Sequence, residues 1–420
     1  MTERIVATYW IETAYPLEVA AAAMAGEQSS GTFLKIPNED AELKARSAAV
    51  VETITPLETV STPSLPGAMT PKGVSSPKWQ RAQVTISWPL ANMGTSLPNL
   101  LATIAGNLFE LQQFSGLRLI DVAPPRAFAE TYQGPAFGIT GTRELAGVSS
   151  GPLVGTIIKP SVGLSPDQTA EIVKDLVEAG IDFIKDDELQ ADGPHCPFDE
   201  RVTKVMAVIR DHAERTGRKP MYAFNVTGET DEMLRRHDRV REEGGTCVMA
   251  SLNSVGLAGF GALRRHSQLP IHGHRNGWGL FYRSPHIGIE YRAWQKLWRL
   301  AGADHMHVNG ISNKFSEPDQ SVVASARACL TPLFEDAPYQ AMPVFSSGQT
   351  AVQAGETFKS VGSTDLIYCC GGGIIGHPSG IAAGVESVRD AWQAAVEGVA
   401  PSDYAQNRPH LAQALEYFEK

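Results

Sequence analysis

The chain has 420 residues, 43% hydrophobic and 20% charged, with a formal net charge of −10 and five cysteines. That length exceeds one ordinary core, so two domains are expected, one of them long enough for a barrel of about 250 residues; the apolar fraction excludes a disordered chain. Acidity without a basic stripe excludes a general nucleic-acid binder, cysteines without CxxC spacing exclude a disulfide scaffold and a structural zinc site, and neither a signal-peptide pattern nor a run of about 18 apolar residues is present, so a cytoplasmic enzyme with no membrane partner is expected.

Residues 1–135 are expected to form an α+β domain of ferredoxin-like type. IVATYWIE alternates like a strand, PLEVAAAAMAG and DAELKARSAAVVETI read as helices, and RAQVTISWPL alternates again. LPNLLATIAGNLFEL has helical spacing, and LRLIDVAPP is a strand ended by prolines. Residues 61–79, rich in Ser, Pro and Gly, read as a long loop.

Residues 136–420 are expected to form a (β/α)8 TIM barrel. Eight strand candidates alternate with amphipathic helices: LVGTIIK, IDFIK, MYAFNV, CVMASL, PIHGH, DHMHV, MPVFS and DLIYCC. The clearest helix runs from Ser165 at its N-cap, through Pro166 in its first turn, to Ala179, with Ile172, Val173, Leu176 and Val177 on one face and Gly180 as the stop.

A buried parallel strand should be apolar throughout. Several of these end in polar groups instead: Lys159 on the first, Lys185, Asp187 and Glu188 on the second, and His272, His274 and Arg275 on the fifth. His305 and His307 lie on the sixth, Ser346 and Ser347 end the seventh, and Gly371, Gly372 and Gly373 follow the eighth. Carboxyl ends of strands are where barrel enzymes do chemistry, so together these residues predict a ring around an active site.

Strand alternation puts Lys185 and Asp187 on one face and turns Asp186 away, while Glu188 can swing inward where the strand breaks. An ion pair between Lys185 and Asp187 that closes the barrel mouth is one reading. The other is a metal site: a lysine amine that takes up CO2 becomes an anionic oxygen donor, and three oxygen donors suit Mg²⁺. Each H-x-H pair puts two imidazoles on one face, a zinc pattern also used by metal-dependent amidohydrolase barrels, but those carry it on the first strand and their lysine on the fourth. The GGG run is either a simple turn or a phosphate cradle, and NGISNKFSEPD is either a plain connection or a lid carrying Lys314 over the substrate.

GTIIKP, DFIKDDE, HGHR, DHMHVNGISNK and GGGIIGHPSG, in that order, resemble the large subunit of RuBisCO and its RuBisCO-like relatives; GEQSSGTF and AGNLF resemble the segments that reach a neighbouring subunit's site. The resemblance implies that Lys185, as a CO2 carbamate, holds Mg²⁺ with Asp187 and Glu188, and that Lys159 transfers protons. It implies that His274 and Arg275 bind the far end of the substrate, that His307 binds near the reacting carbons, and that Lys314 polarises the carboxyl group. Ser346, Gly348, Gly371 and Gly372 would hold hydroxyl and phosphate groups. Glu27, Thr32 and Asn107 would complete a partner subunit's site, making a homodimer or higher homo-oligomer with shared active sites.

The carboxylase pattern departs at four places: a second lysine is here Ser161, a threonine is Ile157, a tryptophan is Phe33 and a glycine is Ser347. Losing a cation and a hydroxyl changes how phosphate and carboxylate are held, so the resemblance implies a RuBisCO-like protein with another substrate. The expected chemistry is an enediolate stabilised by Mg²⁺, with protons moved by the carbamate or Lys159. Retention of Lys314 favours carbon–carbon chemistry at a carboxylate. The resemblance to RuBisCO-like relatives of apiose-type carbohydrate catabolism then implies a phosphorylated keto sugar acid as substrate, 3-oxo-isoapionate 4-phosphate, undergoing decarboxylation or carboxyl transfer with hydrolysis. The alternative is an enolase or isomerase of methionine salvage, acting on a 2,3-diketo-5-methylthiopentyl-1-phosphate-like compound; an inert scaffold would have no reason to keep KDDE, Lys159 and Lys314 together.

Overall fold

The computed structural model describes residues 3–31 and 37–419, and the chain divides into two compact units, Met1–Gln133 with Gly277–Leu297, and Gly134–Asn276 with Trp298–Lys420. Thirteen strands follow in chain order among the described residues: β1 (Arg4–Thr13), β2 (Val50–Val60), β3 (Trp79–Pro89), β4 (Phe114–Ala123), β5 (Leu153–Ile157), β6 (Phe183–Lys185), β7 (Met221–Asn225), β8 (Cys247–Ser251), β9 (Ile271–His274), β10 (Ile287–Ile289), β11 (His305–Asn309), β12 (Met342–Phe345) and β13 (Ile367–Cys369).

In the first unit, β4–β1–β3–β2 form an antiparallel sheet with helices Leu17–Glu27 and Leu97–Ala105 in the two crossover connections, the βαββαβ order of a ferredoxin-like domain. Alternation along β1 buries Ile5, Ala7, Tyr9 and Ile11 on one face. The Tyr9 hydroxyl on that face donates to the carbonyl of Ile104 at 2.6 Å, tying the second helix down. The segment DAELKARSAAVVETI departs from its helical reading. The helix covers only Ala41–Ser47, capped by Asp40 accepting from the Leu43 N–H at 2.8 Å, and Ala48 turns extended. From Val50 onward the β-branched residues pair with β3 in register Val51↔Ile86 and Ile54↔Val84, so sheet pairing outweighs the local helical pattern. β10 extends the sheet in parallel with β4, in register Gly288↔Arg118. The buried Arg118 holds it there, donating to Glu290 at 2.6 Å and to the Ile287 carbonyl at 3.2 Å.

In the second unit, β5 to β9 and β11 to β13 close a ring of eight parallel strands, β11 pairing with β9 and β13 with β5. Leu153, Phe183, Met221, Met249, Met342, Val344 and Ile367 fill its interior. The helix expected after the first strand spans Pro166–Glu178, and Ser165 and Gln168 close a full capping box. Buried carboxylates pin the strand starts: Asp182 accepts from the Val154 N–H at 2.9 Å, and Asp304 from the Ile271 N–H at 2.8 Å. The predicted strand ends therefore meet at one mouth of the ring.

Candidate active site at the barrel mouth

β6 ends in the side chains that carry the charge. Lys185 is 1% exposed, and its Nζ donates to the Asp186 carbonyl at 2.8 Å and lies 3.4 Å from Glu188 Oε2. Asp187 pairs with Lys159, whose Nζ is 2.6 Å from Asp187 Oδ2 and 2.8 Å from Ser161 Oγ. The simple Lys185–Asp187 pair is thus replaced by two crossed pairs, Lys159 with Asp187 and Lys185 with Glu188. Ser161, standing where the carboxylase pattern has a second cation, accepts a hydrogen bond from Lys159 instead. Asp186 faces outward as strand alternation requires, accepting from Tyr222 Oη at 2.6 Å, the Asn225 N–H at 2.9 Å and Arg201 at 3.2 Å. Asn225, at the end of β7, donates through Nδ2 to the Asp187 and Glu188 carbonyls at 3.2 Å each and so fixes the turn that presents both carboxylates.

The donor set suits a hard cation. Asp187 and Glu188 flank a buried lysine whose amine, converted to a carbamate, adds a third oxygen donor and removes a positive charge. Burial pushes the Glu188 carboxyl up, but positive charge on His274 and Lys185 outweighs it and brings the group down to about 2. His274, whose Nε2 is 3.4 Å from Glu188 Oε2, is lowered to about 4 by burial and by Lys185.

β9 and β11 supply the histidines. His272 Nε2 is 2.7 Å from His307 Nε2, and His307 Nδ1 is 3.1 Å from Ser346 Oγ. His272 Nδ1 is 3.3 Å from His305 Nδ1, so these rings bond one another rather than converge on a zinc ion. Among the described residues, His237, Asp238 and His266 form a group with metal-ligand spacing elsewhere in this unit. There His237 Nε2 accepts the Gln268 N–H at 3.3 Å, whereas a ligating imidazole ordinarily donates from its second nitrogen; the group is a hydrogen-bonded cluster.

Arg275 is buried and paired with Glu317, which also accepts from Asn309 Nδ2 at 2.6 Å and from Ser321 Oγ at 2.8 Å. Glu317 closes the connection that carries the exposed Lys314, and the Lys314 N–H donates to the Ser347 carbonyl at 3.2 Å beside Gly348. Ser347 adopts φ 70° and donates to Asn309 Oδ1 at 2.9 Å. The GGG run forms its own short helical turn, Gly371–Ile375, ahead of the long helix Ile381–Glu397. A side chain at Gly372 would meet open space, and one at Gly371 would touch Lys159; at Gly373 it would strike the Gln349 carbonyl at 2.6 Å, so Gly373 is required by packing.

In the first unit, Asn107 Nδ2 is 3.3 Å from Glu27 Oε1, both exposed; Thr32 lies outside the described residues. Asn225 and Glu317 were not anticipated. Asn225 carried the same signal as the others, a polar residue ending an apolar strand, whereas Glu317 lies in a polar loop where nothing distinguishes a buried carboxylate from a solvated one.

Comparison with known proteins gives a consistent result. Residues 138–418 match the ribulose bisphosphate carboxylase large chain, catalytic domain, and residues 2–128 match its N-terminal domain. A 3-oxo-isoapionate-4-phosphate transcarboxylase/hydrolase of Xanthobacter autotrophicus is 58% identical, covering 100% of both chains. A 3-oxo-isoapionate-4-phosphate decarboxylase of Rhizobium etli is 44% identical over 99% of this chain and 98% of its own. The crystal structure of a rubisco-like protein from Burkholderia fungorum is 46% identical, with a TM-score of 0.93 over 99% of this chain and 100% of that one. With both domains matched in order and the strand-end residues gathered at one barrel mouth, the chain belongs to the RuBisCO large-chain family, as a RuBisCO-like protein.

Proposed function

We propose that this protein acts on 3-oxo-isoapionate 4-phosphate by carboxyl transfer followed by hydrolysis. The carrying observation is the grouping of Lys159, Lys185, Asp187 and Glu188 at one barrel mouth, with Lys159 Nζ 2.6 Å from Asp187. The 58% identity to a transcarboxylase/hydrolase, against 44% to a decarboxylase, supports carboxyl transfer over simple loss of CO2.

Lys185 as its carbamate, Asp187 and Glu188 would hold Mg²⁺. When bound, the ion supplies electrostatic stabilisation for negative charge developing on a substrate enediolate. Lys159 holds or moves a proton at its Nζ, with Ser161 and Asp187 fixing the amine's direction. The backbone at Gly371 and Gly372 binds phosphate, His274 and Arg275 bind the far end of the substrate, His307 binds near the reacting carbons, and Ser346 and Gly348 hold hydroxyl groups. Lys314 engages the migrating carboxyl group from the lid. Glu27, Thr32 and Asn107 complete the site of a second subunit, so the active form is at least a homodimer.

The test uses substrate labelled with ¹³C in its carboxyl group, followed by NMR in the presence of Mg²⁺ and CO2. Label retained in a new carboxylic acid is the expected result. Label released as CO2 would assign a decarboxylase, and an unbroken skeleton that exchanges only a proton with solvent would overturn the reading in favour of an enolase.

A further inference from the structure

One continuous chain of hydrogen bonds crosses the barrel interior and ends at two of the residues proposed to face the substrate. It begins at Thr142 on the helix Gly138–Ala146, passes through His305 at the start of β11 and His272 on β9, returns to His307, and ends at Ser346. Thr142 Oγ1 is 2.8 Å from His305 Nε2, and His305 Nδ1 is 3.3 Å from His272 Nδ1. His272 Nε2 is 2.7 Å from His307 Nε2, and His307 Nδ1 is 3.1 Å from Ser346 Oγ. All five side chains are buried, and the chain engages both ring nitrogens of each histidine.

A neutral imidazole has one N–H and one bare nitrogen, and each junction between two rings holds one proton. Fixing the direction at one junction therefore fixes the rest. The direction is set at Thr142, whose hydroxyl donates to the Gly138 carbonyl, a group that can only accept. Thr142 Oγ1 must then accept from His305 Nε2–H. His305 Nδ1 is bare and accepts from His272 Nδ1–H, His272 Nε2 is bare and accepts from His307 Nε2–H, and His307 Nδ1 accepts from the Ser346 hydroxyl. Burial maintains the neutrality this requires, lowering His272 and His307 well below the usual histidine range and His305 to about 3.

We propose that Thr142 is a positioning residue that sets the tautomer of His307, through His305 and His272, and thereby aims the Ser346 hydroxyl proton inward. Ser346 Oγ then offers lone pairs to the site, so the substrate group lodged against it is a hydroxyl donor rather than a carbonyl or phosphate oxygen. Only this last consequence rests on the proposed function; the tautomers themselves do not.

The test is long-range ¹H–¹⁵N correlation NMR of the full chain labelled in histidine, which distinguishes Nδ1–H from Nε2–H rings. Without substrate, His305 and His307 are expected as Nε2–H and His272 as Nδ1–H. Thr142→Val removes the anchoring hydroxyl and is expected to invert all three, whereas Thr142→Ser retains the wild-type pattern. On substrate, Thr142→Val is expected to lower kcat/KM about tenfold, with recovery to about twofold of wild type in Thr142→Ser. Opposite tautomers in the wild-type protein would overturn the proposal even if the valine variant fails to fold, as would a folded Thr142→Val with unchanged tautomers. Correct tautomers in a protein that does not turn over 3-oxo-isoapionate 4-phosphate would sink the proposed substrate and leave the positioning role standing.

Discussion

The surroundings of Lys159 depart from the carboxylase pattern. In the carboxylase pattern a second lysine would stand two positions on; here Ser161 accepts its hydrogen bond, and Asp187 holds it at 2.6 Å. Replacing it with methionine keeps the length and removes the proton. Lys159→Met is expected to lower kcat by about 10²–10⁴ with the fold intact, measured by steady-state kinetics and circular dichroism. The three core histidines lead to a second prediction. Their folded-state values are depressed below the unfolded value near 6.5, so the stability they contribute is complete above about pH 6.5 and is lost as pH falls, toward about 3 for His305. Each ring kept neutral steepens that loss by about 1.4 kcal/mol per pH unit. Urea unfolding of the metal-free protein from about pH 7 to about pH 5 should show this slope, and a flat profile would contradict it. Lys159 and Lys185 were legible in the sequence because a cation closing an apolar strand has few structural uses. Glu317 was not, since its burial depends on Arg275, 42 residues away, and on Asn309, 8 residues away across a folded-back loop.

At the scale of elements, the connection after β11 carries Lys314. Glu317 anchors its base through Asn309, Ser321 and Arg275. Glu317→Ala leaves Arg275 buried beside an apolar side chain. That variant is expected to raise KM about tenfold, with faster hydrogen exchange in residues 310–319; unchanged exchange would argue against an anchoring role. The eight barrel strands could be read in the sequence because strands buried on both faces are short apolar runs. β2 could not, because its first residues continue a helix-like pattern and only its partner β3 makes them a strand. β10 is three residues long with Gly288 at its centre, and its place beside β4 depends on the distant Arg118.

For the whole molecule, the proposed sharing of sites between subunits makes a complementation experiment decisive. Lys185→Ala and Asn107→Ala proteins should each be nearly inactive, while mixed and reassembled subunits should recover about a quarter of wild-type activity, because random pairing restores one complete site in half of the dimers. No recovery among demonstrably mixed dimers would place each site within one chain. The central claim concerns Lys185, and the most direct measurement is ¹³C NMR of the protein equilibrated with ¹³CO2 and Mg²⁺, with activity followed on the same sample. A carbamate resonance that grows in proportion to activity and is absent in Lys185→Ala is the predicted result. Full activity in CO2-free buffer without that resonance would contradict it.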